Sequence, residues 1–168
     1  LYHLIFVVKI KIIMKVCILG DGLTSLTLAK MLVNLGITVD IFSDKKVKKN
    51  NKIQTIGISK NNIDFFDKNI LDIKKLLWKI NKIEIYSENL KNENILNFQD
   101  KDKVLFSIVR NFDLYNFLFR NLKKNKSIKF KKKINFENLM KKNYKLIFNC
   151  DYFHPISKKF FYKNINKD

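Results

Sequence analysis

Glycine is scarce in this chain, with 4 residues in 168, and proline, arginine, histidine and cysteine are scarcer still. Each shortage excludes something. Pro155 is the single proline, and no repeat or Gly/Ser-rich linker breaks the chain, so it reads as one continuous unit. His3 and His154 stand far apart, so no metal-ligand spacing exists and a zinc site is set aside. Cys17 and Cys150 each accompany an apolar strand-like run; they read as small buried hydrophobes rather than as a disulfide. The charge is +19, from 34 Lys plus Arg against 15 Asp plus Glu, yet the only arginines are Arg110 and Arg120. Readers of nucleic acid favour the bidentate fork of arginine. The excess of Lys, Asn, Ile and Phe therefore reads as a coding bias, and no specific nucleic-acid partner is expected.

What remains is enough for a core: 46% of residues are hydrophobic and 13% aromatic, a composition that folds. The opening LYHLIFVVKIKIIMKV is apolar, but Lys9, Lys11 and Lys15 interrupt it well short of the ~20 residues that a spanning helix needs. It also lacks a small-residue cleavage site. Residues 1–13 are expected to be an N-terminal extension outside the fold, and the expected location is cytoplasmic.

Three of the four glycines, Gly20, Gly22 and Gly36, fall within KVCILGDGLTSLTLAKMLVNLGITVDIFSD, residues 15–44. An apolar run without period-2 alternation fits a parallel strand buried on both faces. Gly20-Asp21-Gly22 makes a turn. Leu26, Leu28, Ala29, Leu32, Val33 and Leu35 then recur at helical spacing, Gly36 stops the helix, and Thr38–Phe42 gives a second strand. This is the βαβ order of a dinucleotide-binding unit, in which the first glycine makes the turn and the second admits a pyrophosphate. Ser25 stands at the third, close-packing position. The backbone at Leu23, Thr24 and Ser25 would offer its N–H groups to the anion. Asp21 is awkward there, because a carboxylate beside a pyrophosphate repels it. The acidic residue that normally ends the second strand and binds ribose is replaced by Ser43, with Asp44 next. Either Asp44 serves from a shifted position, or the nucleotide is held less tightly.

Further along, Thr55–Ser59 reads as a short strand or a tight extended segment around Gly57, and residues 61–79 as mostly helical, with Phe65, Phe66, Ile70, Ile73, Leu76, Leu77 and Trp78 as a core-packing set. Ile83–Tyr86, Ile95–Phe98 and Val104–Val109 are strand candidates, the first with one solvent face. A helix is expected from Asp113 as N-cap, with Leu114, Phe117, Leu118 and Leu122 on one face. A short strand within 123–133, a helical turn over Phe136–Met140 and a buried strand over Tyr144–Asn149 follow. Cys150-Asp151 closes that last strand, where open α/β sheets place ligand groups. His154 beside Pro155 reads as structural or solvated, and no residue is assigned as a catalytic acid or base.

With these residues in order, the chain resembles the N-terminal part of the FAD-dependent aromatic-ring hydroxylases, nearest to their ubiquinone-biosynthesis branch. ILGDGLTSLTLAKMLVNLGITVDIF is similar to the opening FAD unit, and QTIGIS to a segment reading R-x-I-x-[IL]-S. IEIYSENL and FSIVRNFDLYNFL resemble the middle strands and the helix after them. LIFNCDYFHPISKK resembles the strand and Asp-Gly motif that contacts the cofactor. The resemblance implies a Rossmann-like α/β FAD-binding fold, with residues 14–168 as its N-terminal part. It implies FAD as cofactor, NAD(P)H as reductant and a small aromatic substrate, with peripheral contact to the inner face of a membrane as a further expectation. It also makes Arg110 and Asp151 cofactor-contacting residues beside the glycine turn. Gln54, Phe112, Tyr152 and Pro155 depart from the family pattern, and its second flavin motif does not occur. Three other readings stay open: an NAD(P)-binding oxidoreductase domain, an inactive fragment, and a basic module for polyanions.

Overall fold

Strands that sit inside a parallel sheet must be apolar on both faces, and KVCIL meets that condition. In the computed structural model, which describes residues 14–43, 54–88, 93–99 and 104–161, Lys15–Leu19 forms β1. It is flanked by β2 (Thr38–Ser43) on one side and β9 (Leu146–Asn149) on the other, both parallel to it. β8 (Ile128–Lys132) completes the sheet, parallel to β2, in the order β8-β2-β1-β9. The β1-α1-β2 connection runs to one side of β1, whereas the chain from β8 returns through α4 to β9 on the other side, so the strand order reverses between β1 and β9 and their C-terminal ends flank the crevice that such a switch point creates.

Helix α1 (Leu23–Asn34) joins β1 to β2. It ends as its sequence dictates: Gly36 sits at φ +79, its N–H bonds to Val33 O at 2.9 Å, and the Ile37 N–H bonds to Leu32 O at 3.0 Å. That pair of bonds is the Schellman arrangement. Helix α3 (Asn111–Lys123) packs beside α1 on the same sheet face. There Val16, Ile18, Val39 and Ile41 meet Leu26, Ala29, Leu114, Leu118 and Leu122 in one buried cluster. Because α1 and α3 each run back to the start of a parallel strand, both present their N-termini at the C-terminal edge of the sheet. The opposite face buries Cys17, Leu19 and Phe42 against Leu139 of α4 (Phe136–Met140) and Ile156 of α5 (Pro155–Phe161).

A second, antiparallel sheet has the order β3-β7-β4, made by Thr55–Ile58, Phe106–Arg110 and Trp78–Ile80. β5 (Lys82–Ser87) and β6 (Glu93–Gln99) form a separate two-stranded ribbon. The α/β architecture and the parallel sheet agree with the sequence reading, and five local expectations are corrected. The helix over 61–79 stops early: α2 spans Lys60–Asn69, capped by the Ser59 Oγ, and a single 3-10 turn, Lys74–Leu76, leads into β4. Ile70 and Ile73 are buried, but Phe65 and Trp78 are 49% and 51% exposed and are not core. The α3 N-cap is Arg110, not Asp113, because β7 runs straight into the helix. The ribbon is wet on more than one face: Ile85, Tyr86, Ile95, Leu96 and Phe98 are all exposed. The last strand is shorter than 144–149 and is not buried, because β9 is an edge strand that leaves Leu146 and Ile147 exposed. Residues 1–13 and Asp44 lie outside the described residues.

Candidate functional site

The glycine turn is held at both flanks. The Gly20 N–H donates to Phe42 O at 2.8 Å, and the Cys150 N–H donates to Leu19 O at 3.0 Å. Gly20 thus lies between the ends of β2 and β9 at φ +100, a conformation that costs an L side chain. A Cβ there would stand 3.2 Å from the Asp151 Cβ and 3.3 Å from the Asp151 nitrogen. Glycine is required at this position because the turn after β9 passes directly against it.

Gly22 differs. It caps α1 in an extended conformation (φ −68, ψ 176), no side chain caps the helix, and its first turn carries no acidic residue. A Cβ at Gly22 would meet nothing within 4 Å. The uncapped N–H groups of a 12-residue helix, with Leu23 and Thr24 in its first turn, therefore border open space. They carry the partial positive charge that favours an anion. Ser25 is fully buried, so the third position does pack closely. Its Oγ lies against the Cys150 thiol without the geometry of a full hydrogen bond. Burial raises the Cys150 pKa, with the Ser25 hydroxyl acting in the opposite direction.

Asp151 follows β9 in a tightly wired turn. Its N–H is held by Asn149 Oδ1 at 3.2 Å, and its Oδ1 accepts the Phe153 N–H at 3.0 Å. Its carbonyl accepts from the His154 N–H and from Ser157 Oγ, both at 3.1 Å. Asn149 Nδ2 donates to that same Ser157 hydroxyl at 2.7 Å. His154 is buried and its Nδ1 accepts the Ile156 N–H at 3.3 Å, so it organises the turn, as the structural reading of this histidine expects.

Ser43 ends β2 opposite Lys132, and its carbonyl accepts the Lys133 N–H at 2.9 Å. Arg110 ends β7 opposite Thr55, and the next residue's N–H bonds to Gln54 O at 2.9 Å. Gly20, Gly22, Leu23, Thr24, Ser25, Ser43 and Asp151 share the C-terminal edge of the parallel sheet. Arg110 reaches the same edge from the N-terminus of α3. Asp21, awkward beside an anion, lies within electrostatic reach of that α3 turn: burial, and then the Asp21 charge, raise the Tyr115 phenol.

Two features escape the sequence reading. Asp40, in the middle of β2, is fully buried, and its Oδ2 takes Lys131 Nζ at 2.5 Å, Tyr144 Oη at 2.5 Å and Lys15 Nζ at 3.1 Å. Burial opposes its ionised form, but these three donors outweigh burial and leave the carboxyl below its ordinary range. Burial, aided by the Asp40 charge, pushes the neighbouring Cys17 thiol up to about 12. This cluster lies on the α4/α5 face and serves the fold. The second feature is the Arg110 guanidinium, which lies over the Trp78 indole at 4.7 Å from the ring centre. Among the described residues, no group of three or more His, Cys, Asp or Glu side chains could hold a metal ion, and no helix is long and apolar enough to cross a membrane.

No protein-family model and no curated protein matches the chain. Solved structures do. The p-nitrophenol 4-monooxygenase PnpA from Pseudomonas putida DLL-E4 superposes with a TM-score of 0.59 at 17% identity, covering 71% of this chain and 32% of its own. Klebsiella pneumoniae HpxO, crystallised with FAD and uric acid, gives 0.55 at 18% identity, covering 70% and 30%. PqsL from P. aeruginosa, in complex with 2-aminobenzoylacetate, gives 0.56 at 14% identity, covering 71% and 33%. The chain shares the fold of the parts of these proteins that it covers. The chain spans about a third of the length of these proteins.

Proposed function

We propose that this chain is the FAD-binding part of a flavin-dependent monooxygenase. Its reductant is NAD(P)H and its substrate a small aromatic ring compound, in the ubiquinone-biosynthesis branch and a cytoplasmic setting that extends to the membrane surface. The observation that carries the reading is the difference between the two glycines. Gly20 is pressed against Asp151, whereas the missing Cβ of Gly22 leaves open space at an uncapped helix N-terminus. That is the cradle a pyrophosphate needs.

In this assignment Gly22, Leu23, Thr24 and Ser25 receive the pyrophosphate on backbone N–H groups, with Ser25 keeping α1 close to the sheet. The Asp151 carboxylate and the Arg110 guanidinium orient the rest of the cofactor from the two flanks, and Ser43 and Asp44 take the ribose. Bound flavin supplies the oxygen chemistry, which no side chain of this chain can perform. The chain's own part is to bind, orient and exclude water. Absorbance and flavin-fluorescence titrations of the purified chain with FAD, NADH and NADPH test the assignment. Saturable uptake of FAD in preference to both nicotinamide nucleotides supports it. A folded chain that takes up no FAD refutes it, and preference for a nicotinamide nucleotide would favour the dehydrogenase-type reading instead.

A further inference from the structure

Arg110 is constrained at several points. Its backbone pairs with Thr55 in the β3-β7 ladder, it caps α3 at φ −71 and ψ 127, and the Asn111 N–H beside it is tied to Gln54 O. Its guanidinium lies over the indole of Trp78, which starts the neighbouring strand β4 and is half exposed. Among the described residues no carboxylate pairs with Arg110, and its cation meets a ring face instead. About half of Trp78 is left in water, an arrangement that core packing does not explain. The α3 N-terminus that Arg110 caps faces the same sheet edge as the glycine turn.

We propose that Trp78 is a positioning residue. It holds the Arg110 guanidinium flat and extended at the crevice, so that the cation meets a phosphate of the bound dinucleotide without first losing side-chain freedom. This inference rests on the dinucleotide assignment of the glycine turn. A cation over an exposed indole gains about 0.5–1 kcal/mol. Trp78→Leu therefore weakens FAD binding about 2- to 5-fold, and Trp78→Tyr, which keeps a ring face, restores most of it. Arg110→Ala weakens binding further and lowers the salt dependence, because a phosphate contact is lost.

The test is a double-mutant cycle on the full chain, with FAD affinity read by equilibrium dialysis at two salt concentrations and folding checked by circular dichroism. In the Arg110→Ala background, Trp78→Leu is expected to have no further effect. Trp78 is the only tryptophan, so its emission should also change on FAD addition to the wild type. Unchanged affinity in Trp78→Leu, or effects that simply add, overturns the inference while leaving FAD binding intact. Absence of FAD binding to the wild-type chain overturns the dinucleotide assignment and this inference together.

Discussion

Replacing Gly20 by alanine tests the geometry of the crevice. The residue sits at φ +100, where a non-glycine side chain costs about 1–3 kcal/mol. The new Cβ would also stand 3.2–3.3 Å from the Cβ and nitrogen of Asp151 and the carbonyl carbon of Cys150. Those atoms cannot give way cheaply. The Cys150 N–H is bonded to Leu19 O and the Asp151 N–H to Asn149 Oδ1. Overpacking of this kind typically costs about 1–3 kcal/mol, so the two effects together, partly relieved by a common shift, come to about 2–4 kcal/mol. For a chain of this size, that lowers Tm by roughly 5–15 °C. Thermal unfolding followed by circular dichroism reads it directly. A Tm within 1–2 °C of the wild type, on the order of the shift expected for a neutral surface change, would refute the claim that the turn after β9 leaves no room for a side chain at Gly20.

Asp40 and the thiols give two further expectations. Asp40→Asn keeps the shape but removes the charge that Lys131, Tyr144 and Lys15 satisfy, and should cost about 2–3 kcal/mol in chemical denaturation. The folded-state pKa of Asp40 is lowered, so its contribution is complete above the unfolded value of about 4 and is lost as pH falls through the folded value. The wild type should therefore keep its full advantage over the variant at neutral pH and lose it only in acid; an advantage that grows below pH 4 would contradict the assignment. For the thiols, Cys17 is buried with its pKa raised to about 12, and that of Cys150 is also raised by burial. A disulfide reagent at about pH 8, near the ordinary thiol pKa, should leave Cys17 unmodified in the folded chain and label both cysteines on unfolding. Rapid labelling of both in the native state would be inconsistent with this packing.

The βαβ opening is legible in the sequence because a chain so poor in glycine places Gly20, Gly22 and Gly36 at the turn, the cap and the helix stop. The last strand is legible as a strand, since LIFN is short and apolar, but its burial is not: β9 lies at the sheet edge, which leaves Leu146 and Ile147 exposed. Trp78 is not legible. Ile70, Ile73, Leu76 and Leu77 are apolar at spacings that also suit a helix, and only pairing with Ile108, 30 residues away, makes Trp78 part of a strand. Such long-range pairing routinely overrides local pattern. The start of α3 is misplaced because β7 passes into it without a loop, leaving Asp113 inside the first turn. Asp40 is hidden for the same physical reason as Trp78. A carboxylate in an apolar strand is costly until its donors are known, and Lys131 and Tyr144 lie 91 and 104 residues away.

The central claim is that a dinucleotide sits on the α1 N-terminus at Gly22. The most direct measurement is FAD affinity of the full chain against Gly22→Val, with Tm recorded for both. The Gly22 backbone is extended and its Cβ position is open, so valine should cost the fold only about 1 kcal/mol through a poorer cap. The prediction is a folded variant that no longer binds FAD, because the added side chain occupies the space through which the pyrophosphate approaches. A folded Gly22→Val chain that binds FAD as tightly as the wild type would contradict the account.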